Sequence, residues 1–361
     1  MIQLFRKVAA IFIFISLSAA AMGQDSTAFK FIDGHHLSVS GRGFTSSVNY
    51  HRLDTLDRRF LPRSVQKLAL NSAGLFISFK TDAKAIRLVW RLAEWKDQWN
   101  MTPLAVNGLD LYGMKDGSWQ YVASAKPTGV ENSAILISNL DGVLRNYRLY
   151  LPLYTEIKDV KIGVNSSAII QKADAQTHPV KNVVIYGSSI TQGASASRPG
   201  MAYPSIISRK MGIGTINLGF SGSGKMEMEI VDVLARIPAD VYILDCVANP
   251  LPQQIKERAY DFVSKLRSLK PGIPIIMVES IFRETGHWDQ LIGERTRQQN
   301  IEFRNAYTRL KKDKVKDLYY VRSKDLIGND HEATIDGTHL TDAGFIRISD
   351  RISKSIKKVI N

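Results

Sequence analysis

The sequence predicts an α/β protein made of two halves, an antiparallel β-sandwich followed by a doubly wound sheet of five parallel strands. In the first half, from Asp25 to about Ala175, short apolar segments are separated by clusters of Gly, Asn, Asp and Ser, which is typical of antiparallel strands. From Pro179 onward, strand-like runs alternate with helical patterns, which indicates a parallel sheet with right-handed crossovers. We therefore expect two domains, at residues 25–175 and 179–361.

The predicted strands are short apolar runs rich in β-branched residues. In the first half the clearest are Leu75–Phe79, Ala85–Trp90 and Asp159–Val164. In the second half there are five: Val183–Tyr186, Thr215–Leu218, Val241–Asp245, Ile273–Glu279 and Leu318–Val321. Helical patterns separate these five runs. The one over residues 253–269 puts its apolar residues on a single face, as a helix packed on a sheet requires.

Residues 1–23 have the pattern of a secretory signal peptide. Two cations, Arg6 and Lys7, precede the apolar run Val8–Leu17, and small residues follow as far as Gly23. About ten apolar residues cannot cross a bilayer, which needs roughly twenty. We expect cleavage near Gly23 and export of a periplasmic or secreted protein with no stable membrane insertion.

The composition limits the classes of partner. The net charge is +14, and it is +12 without residues 1–23, which carry two cations and no acid. Because the cations are spread over many predicted helix faces, with no basic stripe interleaved with aromatics, we do not expect a nucleic-acid partner. Cys246 is the only cysteine, so no intramolecular disulfide forms, and the apolar run before it predicts a buried thiol. The sequence leaves the oligomeric state open.

The first strand of the second half ends in Gly187, Ser188 and Ser189, which brings hydroxyl groups to the edge where open α/β sheets bind ligands. A serine becomes a nucleophile when an imidazole accepts its proton and a carboxylate orients that imidazole. Asp336 and His339, three residues apart before the last predicted helix, can meet in one turn. Two more polar segments follow predicted strands, at residues 217–224 and 245–249.

These four segments resemble, in order, the four sequence blocks of the SGNH (GDSL-type) hydrolase superfamily, whose hydrolase domain has a flavodoxin-like sheet. Gly108–Tyr112 reads Gly-Leu-Asp-Leu-Tyr and matches the Gly-x-Asp-Leu-Tyr signature of the N-terminal β-domain in one branch, the GDSL-like acylhydrolases. The family's usual Asp before the nucleophile is Ser188 here, so two serines compete for the role. The register of the motif selects Ser189 and leaves Ser188 as a structural hydroxyl at the turn.

The resemblance implies a role for each residue of the site. Ser189 is the nucleophile, His339 its base and Asp336 the acid that orients the imidazole. The oxyanion hole consists of the backbone N–H groups of Ser189 and Gly222 and the side-chain amide of Asn249. Glycine lets the backbone approach a substrate, and an amide donates without adding charge. This chemistry requires no metal and no organic cofactor, and we expect none.

Other side chains have two interpretations. Arg198 either binds an acidic or hydroxylated substrate or pairs with Glu279. His331 is a weak candidate for a substrate contact. Asp110 and Tyr112 of the N-terminal signature are expected at a turn and at an interface. Four tryptophans are expected in the core rather than in a sugar-stacking platform, because aromatic side chains dominate buried area: Trp90, Trp95, Trp99 and Trp119.

Together these observations favour an exported serine esterase that removes small acyl groups, acetyl in particular, through an acyl-enzyme intermediate. The expected substrate is an acylated carbohydrate or another small ester. Two alternatives remain open: a lipase, thioesterase or acyltransferase that uses longer acyl chains, and a carbohydrate-binding protein whose hydrolase half is inactive. A series of esters of increasing chain length separates the first from an acetylesterase, and covalent labelling of the serine separates the second.

Overall fold

The computed structural model describes residues 28–44, 49–54, 58–175 and 179–360. The predicted signal peptide, residues 1–23, lies outside these ranges. Within them, no helix is both long enough and apolar enough to cross a membrane.

The first half contains two antiparallel sheets, as predicted. One sheet has the order β1-β9-β4-β7, and these strands are β1 (Phe29–Asp33), β4 (Ile86–Leu92), β7 (Glu131–Ile137) and β9 (Ile157–Asn165). The other has the order β10-β3-β8-β5-β6, with β2 (Ser38–Ser40) also paired to β3; its strands are β3 (Phe76–Thr81), β5 (Leu109–Lys115), β6 (Ser118–Ala125), β8 (Arg145–Tyr150) and β10 (Ile170–Lys172). Alternate residues of β4 are buried, from Ile86 to Leu92, and contribute to one apolar cluster of this half.

The second half contains one parallel sheet with the order β12-β11-β13-β14-β15. The strands are β11 (Asn182–Gly187), β12 (Gly214–Gly219), β13 (Val241–Asp245), β14 (Ile275–Val278) and β15 (Leu318–Val321). Each lies within two residues of its predicted bounds. Because β11 is flanked by β12 and β13, the chain reverses its direction of travel across the sheet there. That point is where doubly wound sheets bind ligands.

The helices follow the predicted alternation. Those of the described chain are α1 (Arg63–Leu68), α2 (Pro103–Asn107), α3 (Ser189–Gln192), α4 (Tyr203–Met211), α5 (Met228–Arg236), α6 (Pro252–Leu269), α7 (Gln290–Lys312) and α8 (Asp342–Ile356). The start of α8 is fixed by Thr341, whose hydroxyl accepts a hydrogen bond from Gly344 N–H. This cap ends the segment that carries Asp336 and His339, so it fixes where that segment joins the helix.

The first half has an apolar cluster of its own, whereas the clusters on the parallel sheet include residues of both halves. On one face of the parallel sheet, Leu53, Leu61 and Val65 of the first half join the cluster formed with α5 and α6. On the other face, Leu153 and Tyr154 pack with residues of α4 and α8. The loops of the first half thus cover apolar surface of the second, which brings their polar residues close to the carboxyl ends of the parallel strands.

Candidate active site

Ser189 is presented by a tight strand-to-helix turn. β11 ends at Gly187, Ser188 caps α3, and Ser189 is the first helical residue. A Cβ at Gly187 would lie 2.0 Å from Thr191 Oγ1 and 2.6 Å from Asp245 O, so the turn has room only for glycine. The hydroxyl of Ser188 is fully buried and accepts a hydrogen bond from Ile190 N–H at 3.3 Å. Ser188 thus holds the turn together.

The structure brings Ser189, His339 and Asp336 into one hydrogen-bonded chain. Ser189 Oγ lies 3.0 Å from His339 Nε2, and His339 Nδ1 lies 2.7 Å from Asp336 Oδ2. The other oxygen of Asp336, Oδ1, accepts the backbone N–H of His339 at 2.7 Å and of Thr338 at 2.9 Å. The turn is closed by a hydrogen bond from Ile335 N–H to His339 O. The carboxylate is therefore fixed at both oxygens, with one directed at the imidazole.

The hydrogen bonds to Asp336 keep it ionised. Partial burial alone would raise the pKa of this carboxyl, but the hydrogen bonds from the backbone and ring of His339 and from the backbone of Thr338 outweigh it. The pKa of Asp336 consequently lies below its usual value. An ionised carboxylate on Nδ1 selects the tautomer in which Nε2 is free to accept the Ser189 proton.

The three predicted oxyanion donors lie on segments that fold around the strand-to-helix turn of Ser189. Among the described residues, neither Ser189 N–H nor Gly222 N–H has an acceptor. Gly222 adopts φ +68°, and its Cβ position is open. Gly224 of the same loop packs so closely on Gly187 that its Cβ would lie 2.2 Å from the Gly187 carbonyl oxygen. Asn249 Nδ2 gives one proton to Ser223 O at 2.5 Å, which ties the side chain to this loop and leaves its second proton available.

Sequence reasoning missed Asn100, which comes from the loop between β4 and α2. Its Nδ2 atom lies 3.2 Å from Asp336 Oδ2 and 3.2 Å from His339 Nδ1. An Asn amide nitrogen can only donate, so it gives a further hydrogen bond to the carboxylate. No motif surrounds Asn100, and it is 236 residues from Asp336 along the chain, so the sequence carried no signal for it.

Two further buried residues hold the loop of residues 217–224 in place. Gln192 Oε1 accepts the N–H of Ser221 at 3.0 Å, and Gln192 Nε2 is held in turn by Asn71 Oδ1. The guanidinium of Arg52 donates to the backbone carbonyls of Gly219 and Leu68, each at 2.5 Å. Complete burial lowers the pKa of Arg52 to about 9. The loop that carries Gly222 is therefore anchored from the first half of the chain.

Asp245 lies fully inside the protein at the end of β13. Its Oδ2 atom accepts hydrogen bonds from Thr191 Oγ1 at 2.8 Å and from the Tyr203 hydroxyl at 2.9 Å. Burial raises the pKa of this carboxyl to about 6, and the two hydroxyl donors only partly oppose the rise. Because Thr191 belongs to the short helix α3, this network supports the segment that carries Ser189. As predicted, the neighbouring Cys246 is a buried free thiol.

The structure corrects the expected pairing of Arg198. Glu279 pairs with Arg304, Nε to Oε1 at 3.0 Å, and also accepts the Tyr320 hydroxyl. The Arg198 guanidinium instead binds Asp110, with 2.7 Å between Nη1 and Oδ2, and the Tyr112 hydroxyl. Asp110 also accepts the N–H of Gly200. This places Arg198 at a contact between the two halves, where the Gly-x-Asp-Leu-Tyr signature supplies its partners.

The tryptophans divide into buried and exposed groups. Trp90 is fully buried, and Trp95 and Trp119 pack against apolar clusters, as expected for core residues. Trp99 departs from that expectation because 84% of its surface is exposed. It precedes Asn100 and so belongs to a segment that touches Asp336. Trp288 is 89% exposed, and its backbone N–H donates a hydrogen bond to the carbonyl of Thr285. Thr285 in turn packs against Gly337, because a Cβ at Gly337 would contact its methyl group. Both exposed indoles thus belong to segments that contact the turn of Asp336 and His339.

Comparison with known proteins agrees with this geometry. Residues 180–357 match the model of the GDSL-like lipase/acylhydrolase family, and residues 29–170 match the GxDLY model, described as the N-terminus of esterases of the SGNH-hydrolase type. A structure described as a GDSL-like lipase from Bacteroides ovatus is 42% identical, with a TM-score of 0.89, over 92% of this chain and 98% of that one. The chain belongs to the SGNH (GDSL-type) hydrolase family. It is accordingly an ester-hydrolysing enzyme with a GxDLY-type N-terminal region, which confirms the predicted family and fold class.

More distant structures share the fold of this SGNH hydrolase. A salicylyl-acyltransferase from a tetracycline biosynthetic pathway is 16% identical, with a TM-score of 0.72, over 93% of this chain and 99% of that one. A family two carbohydrate esterase from Clostridium thermocellum, in complex with cellohexaose, is 12% identical with a TM-score of 0.58, over 79% and 92% of the two chains. No curated protein matches the chain.

Proposed function

We propose that this SGNH hydrolase is a serine esterase in which Ser189 attacks the acyl carbon and His339 accepts its proton. The observation that carries the proposal is the unbroken chain from Ser189 Oγ through His339 to Asp336, with separations of 3.0 and 2.7 Å. Asp336 then stabilises the imidazolium that forms when the proton moves.

The reaction proceeds in two steps. In the first, the bond from Ser189 Oγ to the acyl carbon forms, the ester C–O bond breaks, and His339 passes its proton to the departing alcohol oxygen. In the second, His339 takes a proton from water, the resulting hydroxide attacks the acyl-enzyme, and the same proton returns to Ser189 as the acid leaves. Both steps pass through an oxyanion, for which Ser189 N–H, Gly222 N–H and the Asn249 amide are the donors. Each such donor contributes about 2.7–4 kcal/mol of transition-state stabilisation.

We propose further that the acyl group is small, acetyl in particular, and that the alcohol is a carbohydrate. The support is the pair of exposed indoles, Trp99 and Trp288, on segments that contact the turn of Asp336 and His339. Sugar rings present C–H faces that stack on such exposed aromatic surfaces. The carbohydrate esterase with cellohexaose has the same fold, which is consistent with this choice. Export, proposed from the pattern of residues 1–23, would bring the enzyme to polysaccharide outside the cell.

The experiment is acetate release from a panel of acetylated polysaccharides, together with a chain-length series of nitrophenyl esters. We expect release by the wild type, loss in Ser189→Ala, and the highest kcat/KM on the acetyl ester. Trp99→Ala should raise KM on polysaccharide and leave hydrolysis of nitrophenyl acetate unchanged, with Trp95→Ala as the control from the same region. A maximum at eight carbons or longer would contradict the acetyl assignment. Acyl transfer to an added alcohol in preference to water would favour the acyltransferase alternative instead.

A further inference from the structure

A cluster of side chains of the types that ligate metals lies beside the turn of Asp336 and His339 and plays no part in the reaction above. Glu284 and His287 lie at the two ends of a 3₁₀ turn, and His331 lies in the loop before Asp336. His331 Nδ1 is 2.7 Å from Glu284 Oε2, and His287 Nε2 is 3.8 Å from the same oxygen. All three potential ligand atoms lie within 4.8 Å of one another. We call these three residues the rim cluster.

We propose that the rim cluster binds a divalent transition metal of the Zn²⁺ type. Two imidazole nitrogens and one carboxylate oxygen are a common zinc donor set, with water in the fourth position. Tetrahedral bonds of about 2.0–2.1 Å require ligand atoms roughly 3.4 Å apart. The two separations given above bracket that value, and both histidines are exposed, so shifts of about 1 Å in the side chains are enough.

The backbone on both sides holds the rim cluster in advance of any ligand. His331 adopts φ +63°, an uncommon conformation for a residue with a side chain. The residue before it, Asp330, is fixed by a bidentate ion pair with Arg347 of α8, at 2.6 and 2.5 Å. On the other side, the N–H of Glu284 donates to the carbonyl of Gly337 at 2.8 Å. The three ligands therefore sit on two anchored segments, and His331 is held in a strained conformation with its ring on Glu284.

A metal bound here would link the segment of Glu284 and His287 to the loop of His331, both of which lie beside the turn of Asp336 and His339. Gly337, to which Glu284 is bonded, lies between Asp336 and His339. The metal would stabilise this turn from outside, and the hydrolytic steps would still be carried out by Ser189, His339 and Asp336. A simple ion pair between His331 and Glu284 is the competing explanation, and it needs neither His287 nor a metal.

The test is a Co²⁺ titration of chelator-treated enzyme, since four-coordinate Co²⁺ is coloured and Zn²⁺ displaces it. We expect one equivalent to bind with a four-coordinate absorption band, and Zn²⁺ to bleach the band. His287→Ala and His331→Ala should each weaken binding by at least about tenfold, because even outer-shell changes cost 10–100-fold. Glu284→Gln, which keeps the side-chain shape, should do the same.

Two measurements test whether misfolding explains the loss of Co²⁺ binding in the rim variants. His36→Ala removes an exposed histidine from a different part of the surface and should leave the titration unchanged. Zn²⁺ should raise the Tm of the wild type and of His36→Ala but not that of the rim variants. The proposal is overturned if Co²⁺ shows no saturable binding, which is the result that an ion pair alone predicts, or if His287→Ala binds Co²⁺ as tightly as the wild type.

Discussion

Replacing Asn100 by alanine is expected to lower kcat about tenfold and to leave KM nearly unchanged. Its amide lies 3.2 Å from Asp336 Oδ2, where it donates to a carboxylate. A hydrogen bond to a charged group contributes about 1.5–3 kcal/mol, and the length of this one favours the lower figure. Because about 1.4 kcal/mol corresponds to a factor of ten in rate, the loss should be close to one order of magnitude. KM should stay unchanged because the amide contacts Asp336 and His339, the proposed acid and base.

The split between kcat and KM separates this role from a purely structural one. The amide lies 3.2 Å from both Asp336 Oδ2 and His339 Nδ1, so its loss frees the carboxylate to move away from the ring. A variant that is only less stable would show a lower Tm without a selective loss of kcat.

The assay is hydrolysis of nitrophenyl acetate at a series of concentrations, which gives kcat and KM, with Tm measured for each variant. Asn100→Asp keeps the shape of the side chain but sets two carboxylates face to face. At an effective dielectric constant of about 20, such a pair repels by on the order of 4 kcal/mol, so this variant should lose more activity than alanine. Gln98→Ala, on the same segment, is the control. The reasoning is refuted if Asn100→Ala keeps the wild-type kcat, or if Asn100→Asp is the more active variant.

Three further variants test other parts of the site. Asn249→Ala should lower kcat by about 10²–10³-fold by removing an oxyanion donor, and steady-state kinetics with an unchanged kcat would exclude Asn249 from that role. Arg52→Leu leaves the carbonyls of Gly219 and Leu68 without their donor, so denaturant unfolding should show a loss of about 3 kcal/mol, and a loss below about 1 kcal/mol would contradict the anchoring role. Asp245 has a pKa of about 6 in the fold against 3.8 in the unfolded chain. Between these values the native carboxyl keeps a proton that the unfolded chain has released, so the free energy of unfolding falls as pH rises. Asn does not titrate, so Asp245→Asn should gain about 2 kcal/mol relative to the wild type on going from pH 4 to pH 7; an unchanged difference in unfolding free energy would show that the carboxyl titrates normally.

The parallel sheet was predictable because four of its five strands are buried on both faces and read as continuous apolar runs, β15 being partly exposed. Val241–Asp245 and Leu318–Val321 have the same bounds in the sequence prediction and in the structure. The middle of the site followed from the same logic, since the ends of parallel strands meet at one edge. Ser189 was therefore expected near the segments that follow the neighbouring strands.

What the sequence did not predict are the contacts made between the two halves. Asn100 and Arg52 come from loops without periodicity, and nothing in their neighbourhood indicates a partner more than 160 residues away. Glu279, one of the two partners considered for Arg198, was wrong for the same reason, because Asp110 reaches Arg198 only once the halves pack. Such contacts depend on how two surfaces dock, which local patterns do not encode.

The central claim is that Ser189, and not Ser188, is the nucleophile activated by His339. The direct measurement is labelling with a fluorophosphonate probe, followed by peptide mapping of the modified serine. We predict one label, on Ser189, that is retained in Ser188→Ala and lost in both Ser189→Ala and His339→Ala. A label on Ser188, or labelling of Ser189→Ala at the wild-type rate, would contradict it.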